Sequence, residues 1–261
     1  LNQFEQEYFR PNGGDFYENQ LPEPDLEALG LSAVEYREAL RACKGMALRT
    51  EVYELAVDNV GHITDQRVKY YSAAFHNCHI RCLQPRGGNP YAVFLATESE
   101  AITYHYELPL LDGQPVAPSD PRIAHTFNLR QDELGNPLET LAVAYPRWRD
   151  VALNDPLLPE GAEELIQSVQ REMHLVYTEN QLTGDVISPE DYRLRLPCEV
   201  RTYELTGLSP ANGRYFTLAE LRAAQPAAWE EIPYQQLPDR TTLQKRLVER
   251  VRMLYFAENL T

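Results

Sequence analysis

Long apolar runs are missing from this chain. The longest, Tyr91–Ala96, has six residues, far short of the roughly 20 that carry a helix across a bilayer. Basic charge is also scarce, with 24 Lys and Arg against 39 Asp and Glu, a net charge of −15. Nucleic acid and anionic membranes are held by basic faces. Neither is therefore expected as a partner, and membrane insertion is not expected either. Cysteine is limited to Cys43, Cys78, Cys82 and Cys198, too few for a disulfide scaffold. They are read as free, small apolar side chains. There is no Gly-x-Ser-x-Gly elbow and no Gly-Lys-Ser/Thr phosphate loop. Leu1 is not followed by a basic stretch and an apolar run, so no signal peptide is visible. The missing initiator suggests an excised fragment.

What is present points to β-structure. The length, 261 residues, suffices for one large or two small domains. Sixteen tyrosines suit half-buried pleated surfaces. Residues 1–45 stand apart. Pro11, Asn12, Gly13, Gly14, Pro22 and Pro24 mark an extended segment. Ser32-Ala33-Val34-Glu35 is a capping box opening a short helix that Gly45 stops, with Val34, Tyr36, Ala39 and Leu40 as its expected buried stripe.

From residue 46 to 261 the period becomes two. Strands are expected at Leu48–Leu55, Asn77–Gln84, Tyr91–Thr97, Ala101–Glu107, Ile123–Arg130, Leu138–Tyr145, Met173–Thr178 and Glu199–Leu205. This spacing predicts a mainly β, antiparallel meander. Helical insertions fall near 160–170 and 217–225, the second opened by the capping box Thr217-Leu218-Ala219-Glu220. The segment Leu243–Tyr255 fits helical spacing and strand alternation equally well. Pro-rich loops are expected at Pro109–Pro121, Pro146–Glu160 and Gln225–Asp239.

The densest reactive cluster is Phe75-His76-Asn77-Cys78-His79-Ile80-Arg81-Cys82. Zinc ligands must lie within about 4–5 Å of one another. On an extended chain His76 and Cys82 stand about 20 Å apart, so alternating strand residues are the better reading. A Cys–His nucleophile would pair Cys198 with His174 or His125, without local support. The carboxylate pairs Glu98/Glu100 and Glu230/Glu231 are read as solvated surface. Gln84–Asn89 is read as a hairpin turn. No residue is therefore assigned as catalytic, cofactor-binding or metal-ligating, and no cofactor is expected.

Ile123–Pro146 holds the most informative pattern. Two alternating strands flank Asp132-Glu133-Leu134-Gly135-Asn136, where Gly135 supplies a positive φ and Asp132 folds back onto turn amides. This strand–Asp-x-x-Gly-Asn–strand resembles the turn of RHS/YD repeats. The likeness continues through Gln84–Gly87, Ala101–Glu107, Asp120–Thr126, Ala142–Arg147, Tyr177–Asn180, Leu196–Gly207 and Lys245–Arg252. In that order, from about Tyr8 to Tyr255, they resemble the middle-to-C-terminal region of the B component of bacterial insecticidal Tc toxin complexes. That component is related to the plasmid virulence B protein.

The resemblance implies a role. In that family the B and C components wrap RHS-type strands into a hollow shell around the cytotoxic C-terminal part of the C component. A β-propeller of the B component docks the shell on a pore-forming A component. Aspartates of the C component release the cargo. This chain carries neither that aspartate-rich motif nor propeller repeats. The expectation is thus a secreted bacterial, non-catalytic wall segment, with the rest of the B chain, the C component and its cargo as partners. It also favours a strand over Leu243–Tyr255. Only one clear Asp-x-x-Gly-Asn turn occurs, so the repeat is degenerate. The competing reading is a carbohydrate or cell-surface binding module using Trp148 and Trp229, and a third is an enzyme at Cys198 or His76–Cys82.

Overall fold

A computed structural model describes residues 21–27, 30–111, 113–116, 119–148, 157–211 and 214–255. Of the extended segment expected over Leu1–Pro24, residues 1–20 lie outside them. In chain order the elements begin with β1 (Asp25–Glu27), α1 (Ala33–Ala42), β2 (Arg49–Val57), β3 (Ile63–Gln84), β4 (Val93–Leu111), β5 (Gln114–Pro115), β6 (Arg122–Gln131) and β7 (Pro137–Ala144). They continue with α2 (Ala162–Gln170), β8 (His174–Leu182), β9 (Val186–Ile187), β10 (Tyr192–Arg193), β11 (Pro197–Thr206), α3 (Leu218–Ala224), β12 (Glu230–Ile232) and β13 (Gln244–Arg252).

The chain forms two compact units. The first holds the described residues up to His125 together with Ala144–Met173. Its frame is one long antiparallel ribbon, β3 against β4, from Lys69↔Pro109 to Gln84↔Val93. β2 pairs antiparallel with the first part of β3, and β1 pairs parallel with its second part. Two expected strands, Tyr91–Thr97 and Ala101–Glu107, are in fact the single β4. Its register slips between Asn77 and Cys78, where Ser99 is the extra residue.

α1 opens as the sequence predicts: the Ser32 hydroxyl accepts from the Glu35 amide and Glu35 reaches back to the Ser32 amide. Its buried stripe is narrower than expected. Only Ala39 is buried, while Val34, Tyr36 and Leu40 are exposed. The small side chain lets the helix sit close over Ile80 and Cys78, with Leu26, Leu31, Met46 and Phe94 around them. A second cluster gathers Tyr70, Ala73 and Leu108. Across it the rings of Tyr53, Tyr70 and Tyr106 stack at 4.5 and 4.6 Å. Burying Ile80 alone contributes about 1.5–3 kcal/mol.

The second unit holds Thr126–Val143 and the chain from His174 on. Its strand order is β6-β7-β8-β11-β13-β12, counting only the parts of β6 and β7 that fall in it. Tyr177 of β8 and Tyr203 of β11 face one another in register at its centre. Leu243–Tyr255 supplies β13, which settles the local ambiguity for strand: β13 pairs antiparallel with β11. Gly207 ends β11 with φ 80°, and a Cβ there would meet the Thr242 carbonyl oxygen at 2.2 Å. Only glycine allows the chain to pass so close to the entry of β13.

The mainly β expectation therefore holds, but strict antiparallel order does not. β1 with β3 and β12 with β13 are parallel pairs. Both are three-residue strands separated from their partner by a long connection, which is what parallel pairing requires.

Candidate functional site

The reactive segment on β3 is dispersed by the strand it builds. Cys78 lies under α1 in the core, its sulfur 3.3 Å from that of Cys43. His76 Nδ1 bonds Glu98 at 2.9 Å, and His79 Nδ1 bonds Asp25 of β1 at 3.0 Å. Cys82 is half-buried further along. Among the described residues no group of three His, Cys, Asp or Glu side chains is placed to hold a metal ion.

The other nominated residues scatter too. Leu205 of β11 faces Leu175 of β8, so Cys198 and His174 stand at opposite ends of these strands, roughly 25 Å apart at strand rise. Glu230 and Glu231 are exposed, as expected. Gln84–Asn89 turns β3 into β4, with the Asn89 amide donating to the Arg86 carbonyl at 2.7 Å. Trp229 donates its indole N–H to the Ala224 carbonyl at 2.7 Å, tying α3 to the start of β12. Trp148 is 39% exposed.

Glu100 corrects the reading of Glu98/Glu100 as a solvated pair. It is only 3% exposed, and it forms the middle of a buried polar chain in the first unit. Asn77, opposite it in register, donates to Glu100 Oε1 at 3.1 Å. His125 Nε2 lies 3.3 Å from Glu100 Oε2, and its Nδ1 lies 3.2 Å from the Tyr145 hydroxyl. Burial pushes the His125 pKa below its ordinary value, outweighing the attraction of Glu100, which acts upward. The ring is thus neutral near pH 7, with Nδ1 hydrogen-bonded to the Tyr145 hydroxyl and Nε2 facing the Glu100 carboxylate. Both ring nitrogens face polar groups of the core and His125 is 2% exposed. In this arrangement the pair stiffens a core and leaves no base presented to a substrate. Alternation could have found His125, since it shares a face with Ile123 and Phe127.

In the second unit the Asp132–Asn136 turn reverses the chain between β6 and β7. Gly135 has φ 88°. Asp132 Oδ1 accepts from the Leu134 and Asn136 amides at 2.9 and 2.8 Å, and Oδ2 accepts from the Asn136 side chain at 2.8 Å. Arg195 then clamps the turn from β10's exit. It donates to Asp132 at 3.0 Å, to Glu133 at 2.5 Å and to Asp185 at 2.6 Å. Desolvation resists ionisation of Asp132, but the bonds from Asn136, Leu134 and Arg195 overcome it and hold its pKa below the ordinary value. At the far end of β11, Glu199 accepts from Arg250 at 2.9 Å, from Arg252 at 2.5 Å and from Arg201. Arg250 above all holds its carboxyl at about 2. Nothing local announces these partners. Arg195 is 63 residues from Asp132 and Arg250 is 51 from Glu199.

These groups join strands to strands and turns to strands. Comparison with known proteins points the same way. Residues 38–196 match the family described as the insecticide toxin TcdB middle/C-terminal region. The crystal structure of TcdB2-TccC3 is similar at 23% identity over 84% of this chain, with a TM-score of 0.56. That of TcdB2-TccC3-Cdc42 is similar at 24% over 82%, with 0.53. That of TcdB2-TccC3-TEV is similar at 25% over 84%, with 0.54. Each match covers 10% of the solved chain, so this chain spans about a tenth of their length. No curated protein matches it.

Proposed function

The chain belongs to the insecticide toxin TcdB middle/C-terminal region family, a segment of the B component of insecticidal Tc toxin complexes, and from this we propose that it is a non-catalytic piece of shell wall. Residues 46–261 supply the wall, and residues 1–45 add an extended segment and helix α1. With a secreted C component of the RHS type, the wall encloses the cytotoxic cargo. The solved relatives are TcdB2-TccC3 complexes, which supports a C component as partner. Docking on an A component belongs to parts of the B component outside this chain.

The observation that carries the reading is the alternation along β6 and β7. Ile123, His125, Phe127 and Leu129 are buried on β6 and Leu141 and Val143 on β7, while Ala124, Thr126, Ala142 and Ala144 between them are exposed. One packed face and one open face are what a curved wall one sheet thick needs. The side chains with the strongest charge contacts hold its joints.

The test uses the full-length B component co-expressed with its C component. Residues 122–145 are exchanged for a flexible linker and the cargo is challenged with protease. We expect cargo that resists digestion in the wild-type complex to be degraded in the variant. Cargo that stays protected without this hairpin would remove the wall reading. Glycan binding lost on Trp148→Ala would instead favour a surface-binding module.

A further inference from the structure

We propose that Cys43 and Cys78 are a modification site: a thiol pair that closes into a disulfide bolting α1 to β3 when a small-molecule disulfide is present. Their sulfur atoms lie 3.3 Å apart, so closure to a bond of about 2.05 Å needs a movement of about 1.3 Å. The fold holds them together from two sides. Ala39 of α1 packs with Cys78 and Ile80, with Cys43 against the same cluster. Glu35 and Glu38 of α1 accept from the Arg86 and Ala92 amides at 2.8 and 2.9 Å, mooring the helix to the β3–β4 turn. The small remaining movement falls where the backbone can give, because Cys43 caps the C-terminal end of α1 and leads directly into the turn at Gly45.

The two sulfurs have different roles. Cys43 is half-buried and reachable, while Cys78 is 3% exposed. Burial pushes the Cys78 thiol up to about 12, so it is the poor first nucleophile. Cys43 as thiolate therefore attacks oxidised glutathione, expels one glutathione thiolate and forms a mixed disulfide. Cys78 then attacks the Cys43 sulfur and expels the second glutathione. Two protein thiols and one glutathione disulfide become one protein disulfide and two glutathione thiols, which take up the two protons. The step does not depend on the wall reading, and its failure would leave that reading untouched.

The test incubates the full chain with oxidised or reduced glutathione, alkylates the remaining thiols after unfolding, digests with trypsin and weighs the peptides. Trypsin places Cys43 in Ala42–Lys44, Cys78 in Tyr70–Arg81 and Cys82 separately in Cys82–Arg86, so each pairing has its own mass. Oxidation should yield Ala42–Lys44 joined to Tyr70–Arg81, two hydrogens lighter than their sum. It should also raise the melting temperature by roughly 5–10 °C. Cys43→Ser should abolish both effects, and Cys82→Ser should leave both intact. Recovery of Cys43 and Cys78 as alkylated or glutathione-capped residues, or Cys78 joined to Cys82, would overturn the proposal.

Discussion

His125 shows how a residue with an obvious chemical use can be spent on packing. It is held between Glu100 and Tyr145 with its charged form disfavoured by burial. The folded pKa lies below the unfolded one, so in the window beneath an unfolded value of about 6.5 the unfolded chain binds the extra proton. Stability must then fall as the pH drops through that window, by up to about 1.4 kcal/mol per unit for this one site. His125→Gln keeps a donor for Glu100 and an acceptor for Tyr145 but cannot titrate. Urea midpoints measured between about pH 7.5 and about pH 5.5 should decline more steeply for wild type than for the variant. Parallel slopes would mean that folding leaves the His125 pKa where it stands in the unfolded chain. Glu199 acts in the same sense but lower down: its contribution is present above the ordinary value of 4.5 and is lost as the pH falls through about 2. The burial of His125 was legible in the Ile-x-His-x-Phe alternation of residues 123–127. The burial of Glu100 was not, because its companions Asn77 and His125 come from other strands and a carboxylate next to Glu98 looks solvated.

Among the elements, those defined by local chemistry were legible. Ser32 and Thr217 open α1 and α3 through capping boxes, and Asp132–Asn136 turns β6 into β7. Elements whose reason is remote were hidden. The first part of β3 runs through Asp65, Arg67 and Lys69, a charged stretch that becomes strand because β2 pairs along it, with β4 joining only from Lys69 on. β1 and β12 are three-residue strands with no pattern of their own. The turn offers the cleanest test at this scale. Asp132→Ala removes the acceptor for two amides, the Asn136 side chain and Arg195 at a site whose side chain is 4% exposed. The expected loss is about 1–3 kcal/mol, from donors left without partners. Asp132→Asn, which keeps one acceptor oxygen, should lose less. Equal stability of Asp132→Ala and wild type in chemical denaturation would show that Gly135 alone sets the reversal.

For the molecule as a whole, the question is what covers the surfaces this chain leaves open. Leu48, Val57, Val60 and Ile63 are between 60% and 78% exposed, and they mark the outer edge and tip of the β2–β3 hairpin. Among the described residues β2 pairs with β3 and no other strand. An edge with unpaired amides and apolar side chains is a template for another strand. A net charge of −15 opposes association at long range, yet salt screens it within about 8 Å at physiological ionic strength. The solved relatives extend about ten times further than this chain, and on the proposed wall reading the occupant of the edge would be neighbouring strands of the same polypeptide. The 261-residue chain alone should then self-associate at about 100 µM, more strongly as salt is raised. Val57→Lys with Ile63→Lys should suppress this in sedimentation velocity. The same pair placed in a full-length B component should lower the yield of assembled complex, because there it would set two charges against the strand that normally covers them. A wild-type chain that stays monomeric at every salt concentration would mean that the hairpin tip is an outer surface.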